Sequence, residues 1–465
     1  MEKFAIDPLD FGQEAGPLYR QLADQVAEMI DLGALAPGDR LPPQRDIARD
    51  AGVNMTTVTR AFALLQRQGL VESRPGRGSV VSAHGARSAF GAPPESDEGF
   101  VDLSVTRPAT DAWLRATAAL LPDLPRDPRF ADIGEFHPPQ GPVWARTALA
   151  GWLAPVLGGA DPDGLILTGG AQHGLACALA AIARPGDVVL AEAVGYHGLS
   201  GLCAAQSLTL ASVAQDEGGM RPDALDAACR AHRPRAVFLT PCLQNPTTVT
   251  LSAARRADLA AIARRHGTLI VEDDVYRPLA PDAPPPIAAA HRDATIYIVS
   301  LSKCASPGAR FGVVAAPPSL AGRIAAMLRV DCWSAPALTA LIATRLIEDG
   351  RLDAIIAEQR EELERRRAAL ARAFGPDALD SAPGAPHAWL RLSAPWRGEA
   401  FVRAARQAGV GLLPGAVFSA SADGPLPEAA RISLSGAGSV ARVERAAGVL
   451  RRLFDTAPEL ADVAL

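Results

Sequence analysis

Lys303, in the stretch SLSKCASPGAR at residues 300–310, is chemically unlike almost every other cation in the chain. The 465 residues include 46 lysines and arginines, and of these only Lys3 and Lys303 are lysines. An arginine keeps its proton in proteins, whereas a lysine amine can lose its proton and attack a carbonyl carbon. Lys303 is therefore a candidate catalytic nucleophile, although the count alone leaves an ordinary surface lysine as the alternative.

Two known uses of a lysine in such a motif fail on the sequence itself. Ser300 and Lys303 have the S-x-x-K spacing of penicillin-binding enzymes, but those enzymes also need K-T-G, and neither lysine here precedes Thr-Gly. A Walker A loop fails as well, because no G-x-x-x-x-G-K leads to Lys303. What remains is an amine that holds an aldehyde cofactor as a Schiff base, and this chemistry indicates pyridoxal phosphate.

A pyridoxal phosphate site needs a cradle for the phosphate group. In LTGGAQHG, residues 167–174, a predicted strand ends and a predicted helix begins. The backbone amides of Gly170, Ala171 and Gln172 can therefore point at a phosphate, with the helix dipole behind them.

Four other side chains follow predicted strands and match the other needs of this cofactor. Asp273 in LIVEDDVY can pair with the ring nitrogen, although an acidic pair at a strand end is often simply solvated. Asn245 in TPCLQNPTT and Tyr276 can donate to the phenolic oxygen, and Tyr196 in AEAVGYHG can stack on the ring. Open α/β sheets bind ligands at the carboxyl ends of their strands, so we expect these groups to meet there.

The elements that must position these groups are apolar runs that alternate with alanine-rich helical stretches. From about residue 100 onward the runs are GLILTGG, DVVLAEA, RAVFLTP, GTLIVEDD, ATIYIVSLSK and RFGVVAAP. This alternation predicts a large α/β domain with a mostly parallel sheet. The segment RLDAIIAEQREELERRRAALARAF predicts a long, charged amphipathic helix.

Length and composition predict a soluble, cytoplasmic protein of several domains. Residues 82–100, rich in Ala, Gly, Ser and Pro, are predicted to link a domain at 1–81 to one at 101–465. No apolar run approaches the roughly 18 residues of a membrane helix, and the first residues do not resemble a signal peptide. The six cysteines form no C-x-x-C pair, so we expect buried thiols and no metal site.

Residues 1–81 contain the spacing of three helices followed by two strands. Pro17 suits the first position of a helix, and a short helix is predicted at about residues 43–50. Asn54 can cap the third helix. The apolar spacing of that helix predicts an inward face of Val58, Ala61, Phe62 and Leu65.

The opposite face of the third helix is polar, as expected of a helix that reads a DNA major groove. It presents Thr56, Thr57, Thr59 and Arg60, and the strands LVESR and GSVV then form a wing around RPGRG. Residues 40–80 hold seven arginines against three acidic residues, a local charge of +4 in a chain of net charge −5. This excess is typical of a phosphate-binding surface, with a small helical bundle that binds no nucleic acid as the alternative.

The segment GDRLPPQRDIARDAGVNMTTVTRAFALLQRQGLVESRPGRGSVV resembles the winged helix-turn-helix of the GntR family. This resemblance implies a small α+β domain that binds double-stranded DNA at an operator. It implies that Arg45 and Arg60 contact phosphates or bases and that Thr56 and Thr57 begin the recognition helix. It also implies a wing formed by Arg74, Gly76 and Arg77. The family usually has a serine where this chain has Pro43.

Residues 101 to about 455 resemble a class I aminotransferase of fold type I. The resemblance implies a Schiff base at Lys303. It also implies, for the other cofactor groups, the same roles as those given above. It adds that Ser300 and Arg310 bind the phosphate and that Arg431, in ARISLS, binds a substrate carboxylate. Two positions depart from the family: Phe136 where a tyrosine often reaches across the dimer, and Thr248 in place of a glycine.

A GntR-type head, a linker and an aminotransferase-like domain, in this order, resemble the MocR family of regulators. The resemblance implies a transcriptional regulator that depends on pyridoxal phosphate and senses an amino compound or the cofactor through Lys303. It also implies a domain-swapped homodimer. Two alternatives stay open: a genuine aminotransferase that carries a DNA-binding domain, and a degenerate domain that only dimerises the heads.

Overall fold

The computed structural model describes residues 18–31, 35, 38–67, 70–74, 78–81, 99–420 and 426–456. The chain divides into two compact units, Met1–Asp97 and Glu98–Leu465. Of the expected linker, only Gly99 and Phe100 lie among the described residues. The expected boundaries at residues 81 and 100 therefore stay predictions.

The described residues of the smaller unit form three helices and a two-stranded antiparallel hairpin. Its elements are α1 (Leu18–Asp31), α2 (Gln44–Asp50), α3 (Met55–Arg67), β1 (Val71–Arg74) and β2 (Gly78–Val81). The Asn54 Oδ1 accepts the Thr56 amide at 3.0 Å, so Asn54 caps α3 as predicted. The predicted inward face of α3 is confirmed, because Val58, Ala61, Phe62 and Leu65 are all buried in the core of this unit.

The larger unit is a layered α/β structure. Its helices are α4 (Asp111–Leu120), α5 (Val143–Leu157), α6 (Ala171–Ile182), α7 (Gly198–Ala205), α8 (Pro222–His232), α9 (Ala253–His266), α10 (Ile287–Ala290), α11 (Pro318–Cys332), α12 (Ala337–Glu348), α13 (Arg351–Ala373), α14 (Gly398–Gln407) and α15 (Val440–Phe454). Helix α13 is the predicted long amphipathic helix. Among the described residues, no helix has both the length and the apolar character that crossing a membrane requires.

The strands of the larger unit form one large sheet and several small ones. They are β3 (Val101–Asp102), β4 (Leu165–Thr168), β5 (Val188–Glu192), β6 (Thr209–Val213), β7 (Gln215–Asp216), β8 (Gly219–Met220), β9 (Ala236–Leu239), β10 (Leu269–Asp273), β11 (Thr295–Ser300), β12 (Gly312–Ala315), β13 (Leu379–Asp380), β14 (His387–Arg391), β15 (Val410–Gly411), β16 (Leu413–Pro414) and β17 (Ala429–Ser433).

The large sheet has the strand order β4-β12-β11-β10-β9-β5-β6. Only β12 runs antiparallel to its neighbours, so the predicted mostly parallel sheet is confirmed. The strands β4, β5, β9, β10 and β11 end at the same edge, where the predicted cofactor groups follow them. Strand β6 was not predicted, because this edge strand is partly exposed and its TLASV sequence lacks a continuous apolar run.

A second, four-stranded sheet of order β13-β14-β17-β16 carries Arg431 in its strand β17. Beside it, β15 pairs in parallel with β3, which is the first strand after the expected linker. Through these pairings the start and the end of the large unit meet. The segment after β3 is thereby brought to Arg431, although the two are more than 300 residues apart in sequence.

The cysteines are buried thiols at five of the six positions, as expected. The expectation is wrong for Cys332, which is exposed. Cys332 is the last residue of α11 and precedes the turn at Trp333, so its side chain lies outside the apolar core that burial of a thiol requires.

Candidate functional site

The predicted phosphate cradle is the turn between β4 and α6. Gly170 has a φ of 102°, in the region that favours glycine, and it precedes the first helical residues Ala171 and Gln172. Amides at a helix start have no partner within the helix. The Arg310 guanidinium donates to the carbonyl of Gly169 on the same turn, so unpaired amides and a cation meet where an anion can bind.

Ser300 lies beside this cradle. It is the last residue of β11 and pairs in register with Gly312, which packs so closely on Gly170 that a Cβ at Gly312 would lie 2.8 Å from the Gly170 Cα. The Ser300 hydroxyl is buried and has no hydrogen-bond partner among the described residues. A buried hydroxyl without a partner is costly, and a phosphate oxygen would satisfy it.

His173 supports the cradle, and the sequence analysis missed it. Its Nδ1 accepts the Gly169 amide at 2.9 Å, and its Nε2 lies 3.0 Å from the Asp331 carboxylate. These atoms and the Cys332 thiol lie within 4.8 Å of one another. Because the Gly169 amide occupies the lone pair of Nδ1, the proton of the neutral ring lies on Nε2, and this arrangement disfavours a metal at that nitrogen.

Asp273, at the end of β10, is a buried carboxylate, and no cation of the described residues is in hydrogen-bond contact with it. Burial, and then the neighbouring charge of Asp274, raise the pKa of Asp273 to about 7, while Lys303 opposes the shift. Its Oδ1 has no hydrogen-bond partner among the described residues. A protonated ring nitrogen would supply both the hydrogen bond and the positive charge that this carboxylate lacks.

The two tyrosines predicted for the site are both held by neighbouring side chains. The Tyr196 hydroxyl donates to the Gln172 Oε1 at 2.9 Å, which joins it to the cradle. Burial, and then the Asp273 charge, raise the pKa of Tyr196 to about 12. Tyr276 is buried with its ring edge-on to His387 at a centroid distance of 5.6 Å. Both phenols therefore stay protonated and can donate hydrogen bonds.

Gln244 joins three loops of the site, and the sequence analysis missed it too. Its Nε2 donates to Val194 O at 2.7 Å on the loop that carries Tyr196, and its backbone carbonyl lies 3.0 Å from the His387 Nε2. That carbonyl also accepts the amide of Thr248, whose φ of 64° lies in the region that favours glycine. This conformation costs a non-glycine residue on the order of 1 kcal/mol. Gln244 thus fixes Asn245, its neighbour in the chain.

Lys303 lies in the middle of these groups. Its Nζ donates to the backbone carbonyl of Thr106 at 2.9 Å. Burial, followed by the positive charges of Arg431 and Arg310, lowers the pKa of Lys303 from 10.5 to about 8, while Asp273 opposes the shift. A substantial fraction of this amine is therefore neutral near physiological pH, which a nucleophilic amine requires.

Arg431 is a buried guanidinium without a carboxylate partner among the described residues. It donates to the Asn245 Oδ1 at 3.1 Å and to the backbone carbonyl of Ser104. Its Nε has no hydrogen-bond partner among the described residues. Burial lowers the pKa of Arg431 to about 10. A buried cation that is paired only with neutral groups is suited to an anionic ligand.

The lowered pKa of Lys303 predicts the pH dependence of its reaction with an aldehyde. Only the neutral amine attacks, so the rate should rise about tenfold per pH unit below about pH 8 and level off above it. A lysine with the ordinary pKa of 10.5 would continue to accelerate throughout this range. The measurement is the rate of adduct formation with pyridoxal phosphate between about pH 6 and 10, trapped with borohydride and followed by mass. A rate that still climbs above pH 9 would contradict the assigned environment.

The residues predicted to contact DNA are only partly within the described chain. Arg45, Thr56 and Arg60 are exposed, and Thr57 is half-buried. The Thr59 hydroxyl donates to the Gln44 Oε1 at 3.2 Å, which ties α3 to α2. Arg74 ends β1, but its side chain, like Gly76 and Arg77, lies outside the described residues.

Two protein families match the chain, one after the other. Residues 18–81 match the bacterial regulatory proteins of the gntR family, and residues 100–450 match aminotransferase class I and II. The chain belongs to the MocR-type regulators. It is a member of the aminotransferase class I and II family that carries a GntR-type DNA-binding domain at its N-terminal side, as the sequence predicted.

Relatives of this MocR-type regulator share its organisation or the fold of its large unit. It is 26% identical to the uncharacterized HTH-type transcriptional regulator YdeF of Bacillus subtilis, over 94% of this chain and 95% of that one. It is 28% identical to the vitamin B6 salvage pathway transcriptional repressor PtsJ of Salmonella typhimurium, over 84% and 89%. The solved structure of the α-aminoadipate aminotransferase LysN from Thermus thermophilus has the same fold, with a TM-score of 0.69, 23% identity, and coverage of 79% and 94%.

Family membership makes pyridoxal phosphate the cofactor of this MocR-type regulator. The described groups fit this cofactor. The cradle offers the amides of a helix start, which have no partner within the helix, and Arg310. Within the described part of the chain, the buried Ser300 hydroxyl and Asp273 Oδ1 lack partners that a phosphate oxygen and a ring nitrogen would supply.

Proposed function

We propose that this MocR-type regulator binds pyridoxal phosphate covalently at Lys303 and senses an amino compound, or the cofactor itself, at this site. When bound, the cofactor supplies an aldehyde carbon that condenses with amines and a ring that withdraws electrons. Asp273 pairs with the ring nitrogen and holds its proton, while Tyr196 covers the ring. Asn245 and Tyr276 donate to the phenolic oxygen. The phosphate is bound by residues 170–172, Ser300 and Arg310.

The single observation that carries this proposal is the pair of cations, Lys303 and Arg431, in one buried site. The positive charge of Arg431 is one of the causes that lower the pKa of Lys303 to about 8, and both side chains donate to backbone carbonyls of one segment, at Thr106 and Ser104. Lys303 supplies the amine, and Arg431 is a buried cation without a carboxylate partner among the described residues. An effector that carries both an amino group and a carboxylate satisfies both residues.

Binding of DNA follows from the GntR-type domain, and we propose its contact residues from their exposure. Thr56, Thr57 and Arg60 on α3 enter the major groove, and Arg45 on α2 contacts the backbone. The match to the gntR family adds the predicted contact residues Arg74, Gly76 and Arg77 to this proposal. The protein would act on chromosomal DNA in the cytoplasm.

Replacing Arg60 with alanine should weaken binding to the promoter DNA of a neighbouring gene. If Arg60 hydrogen-bonds a base, its removal should cost about 1–3 kcal/mol of binding free energy. If Arg60 instead binds a phosphate, its removal should reduce the slope of log affinity against log salt concentration by about 1. The measurement is the dissociation constant at several salt concentrations. Arg372→Ala, which removes an exposed arginine of the large unit, is the matched control. If Arg60→Ala binds with unchanged affinity and salt slope, α3 is not the recognition helix.

We propose that the protein is a homodimer, on the basis of exposed apolar side chains of the large unit. Phe136 and Val330 are each 84% exposed, and Phe136 contacts the half-exposed Trp333 at a ring-centroid distance of 5.3 Å. Exposed apolar groups of this size are typical of an interface.

The double variant Phe136→Ser, Val330→Ser should therefore shift the protein toward monomer, and light scattering after gel filtration measures the mass. Burial of each such side chain contributes about 1.5–3 kcal/mol. Leu426→Ser, which alters an exposed apolar residue outside this pair, is the control and should leave the mass unchanged. A double variant with the mass of the parent protein would place the interface elsewhere.

The alternative of a genuine aminotransferase uses the same residues, with the Lys303 amine as the group that moves the proton. Measurements of turnover and of DNA affinity distinguish the two functions. A regulator should complete at most one half-reaction with an amino acid, and this amino acid or pyridoxal phosphate should change its affinity for promoter DNA. Steady conversion of an amino acid and a keto acid at about 1 per second or faster, without any effect on DNA affinity, would favour the enzyme.

A further inference from the structure

A short segment after the expected linker contacts two cations of the site, Lys303 and Arg431. This segment, residues 101–107, is called the strap. The Thr106 carbonyl accepts a hydrogen bond from the Lys303 Nζ at 2.9 Å, and the Ser104 carbonyl accepts one from the Arg431 guanidinium. Lys303 and Arg431 therefore both donate to backbone carbonyls of one segment, and the two accepting residues are two positions apart.

The first half of the strap is held by the backbone of the large unit. The amides of Val101 and Leu103 donate to the carbonyls of Gly409 and Gly411, both at 2.8 Å. The Leu103 carbonyl in turn accepts the amide of Ser433 at 2.8 Å. These bonds fix the strap at β3 and depend on neither cation.

The second half of the strap has a different anchor. Among the described residues, Lys303 is the donor to the Thr106 carbonyl, and Arg431 is the donor to the Ser104 carbonyl. Thr106 is buried, and its hydroxyl has no hydrogen-bond partner among the described residues. Ser104 is also tied to the first half of the strap, because its amide and its hydroxyl donate to the Asp102 Oδ1. Among the described residues, the hydrogen bonds from residues 104–106 to the rest of the large unit are those of the two cations.

We propose that the strap is the regulatory element of this site, and that reaction of Lys303 with the aldehyde cofactor releases it. The inference rests on the proposed covalent role of Lys303. In that reaction the neutral amine forms a carbon–nitrogen double bond with the aldehyde carbon. Both hydrogens of the amine leave with the aldehyde oxygen as one molecule of water.

The loss of these hydrogens is what uncouples the strap. An ammonium group has three N–H donors, whereas the nitrogen of the product has none, or one when it is protonated. When the product nitrogen is unprotonated, the Thr106 carbonyl loses its donor inside a buried environment, which is costly unless the backbone moves to water or to another donor. A protonated product nitrogen keeps one N–H in place of three, and the double bond fixes its direction so that it cannot rotate toward Thr106. An effector carboxylate acts in the same direction at Arg431, because it competes with the Ser104 carbonyl for the guanidinium.

The position of the strap in the chain gives its release a consequence. Residue 101 directly follows the expected linker at 82–100, and the DNA-binding domain precedes that linker. The strap is therefore the part of the large unit through which a change at Lys303 reaches the linker along the chain. Two occupants that differ in their contacts with Lys303 and Arg431 would leave the strap in different states, as a switch requires.

Hydrogen–deuterium exchange on the full-length protein tests this inference. Pyridoxal phosphate should accelerate exchange of the amides of residues 104–106 by about fivefold or more, the change that loss of one hydrogen bond produces in a local opening equilibrium. The amides of the central strand β5 are the internal control and should not accelerate. Mass analysis after borohydride reduction shows in the same sample whether the cofactor is attached to Lys303.

Two variants separate loss of the donor from occupancy of the site. Lys303→Met has no donor for the Thr106 carbonyl, so its strap should exchange fast with or without the cofactor. Lys303→Arg keeps a donor but cannot condense with an aldehyde, so its strap should exchange slowly in both cases. If the amides of β5 also exchange faster in Lys303→Met, this variant has unfolded. The comparison of the wild-type protein with and without pyridoxal phosphate then tests the inference by itself.

The outcomes distinguish this inference from the proposed function. If no cofactor is attached to Lys303 after reduction, the proposed function is wrong. If the cofactor is attached but exchange in the strap is unchanged or slower, the proposed function stands and the strap is not released. Attachment together with faster exchange confined to the strap supports the inference.

Discussion

Lys303→Met abolishes covalent retention of pyridoxal phosphate; this is the largest effect that we expect from a single substitution. The residue is the one lysine of the large unit, and Lys3 is the one other lysine of the chain. No second side-chain amine of the large unit can therefore replace it. Methionine keeps the length and the apolar stem of lysine, so the site should stay packed while the nucleophile is lost.

The measurement is the visible absorbance of the bound cofactor, together with the mass of the chain after borohydride reduction. The wild-type protein should gain one reduced cofactor per chain, and Lys303→Met should gain none. Residual reversible binding is expected, because the cradle, Arg310 and Ser300 remain. Lys303→Arg is the matched control for charge and should also gain none. One reduced cofactor per chain in Lys303→Met would show that another amine carries it.

The second large effect is expected at Arg431. Arg431→Gln should weaken binding of an effector that carries both an amine and a carboxylate by at least about 30-fold. Removing one partner of a buried, hydrogen-bonded charge pair costs about 2–5 kcal/mol, and about 1.4 kcal/mol corresponds to tenfold. Arg431→Lys keeps the charge but loses the fork that binds two oxygens at once, so its effect should be smaller.

A pair of ligands provides the control for this prediction. An amine that lacks the carboxylate should lose far less affinity on Arg431→Gln, because it makes no contact with the guanidinium and is affected only through the changed surroundings of Lys303 and Asn245. Titration of the cofactor spectrum with both ligands measures the two affinities. If both ligands lose affinity equally, Arg431 supports the shape of the site and does not bind the carboxylate.

The same substitution should shift the pH dependence of Lys303. Burial is the largest cause that lowers the pKa of Lys303, and the charge of Arg431 is the next. Without that charge the ammonium form is less disfavoured, so the pKa should rise and the reaction with the aldehyde should level off at a higher pH than about 8. Arg431→Lys, which keeps the charge, should leave the midpoint nearly unchanged.

The groups that could be predicted from the sequence are those that follow strands with a continuous apolar run. Asp273 ends such a strand, Asn245 and Tyr196 lie in the loops after two others, and parallel strands place their carboxyl ends at one edge. The polar edge strand β6 has no such run and was missed. The sequence therefore predicts that these side chains share one site, but it does not predict the distances between them.

The supporting groups could not be predicted, because their roles depend on distant backbone atoms. Gln244 binds a carbonyl 50 residues away, and Lys303 binds Thr106 across 197 residues. Neither the type of these partners nor their spacing carries a signal, since a backbone carbonyl exists at every position. His173 follows the cradle in the sequence, but only its hydrogen bond from the Gly169 amide and its distance to Asp331 reveal that it supports the turn.

The cofactor groups lie at the ends of five strands, and they extend along the chain from Gly170 to Arg310. No subset of them can form the site before the sheet has taken its strand order, so cofactor affinity reports on the whole large unit. A ligand that binds only the folded chain stabilises it by about 2.7 kcal/mol at a hundred times its dissociation constant. Saturating pyridoxal phosphate should therefore raise the free energy of unfolding of the large unit by about this amount.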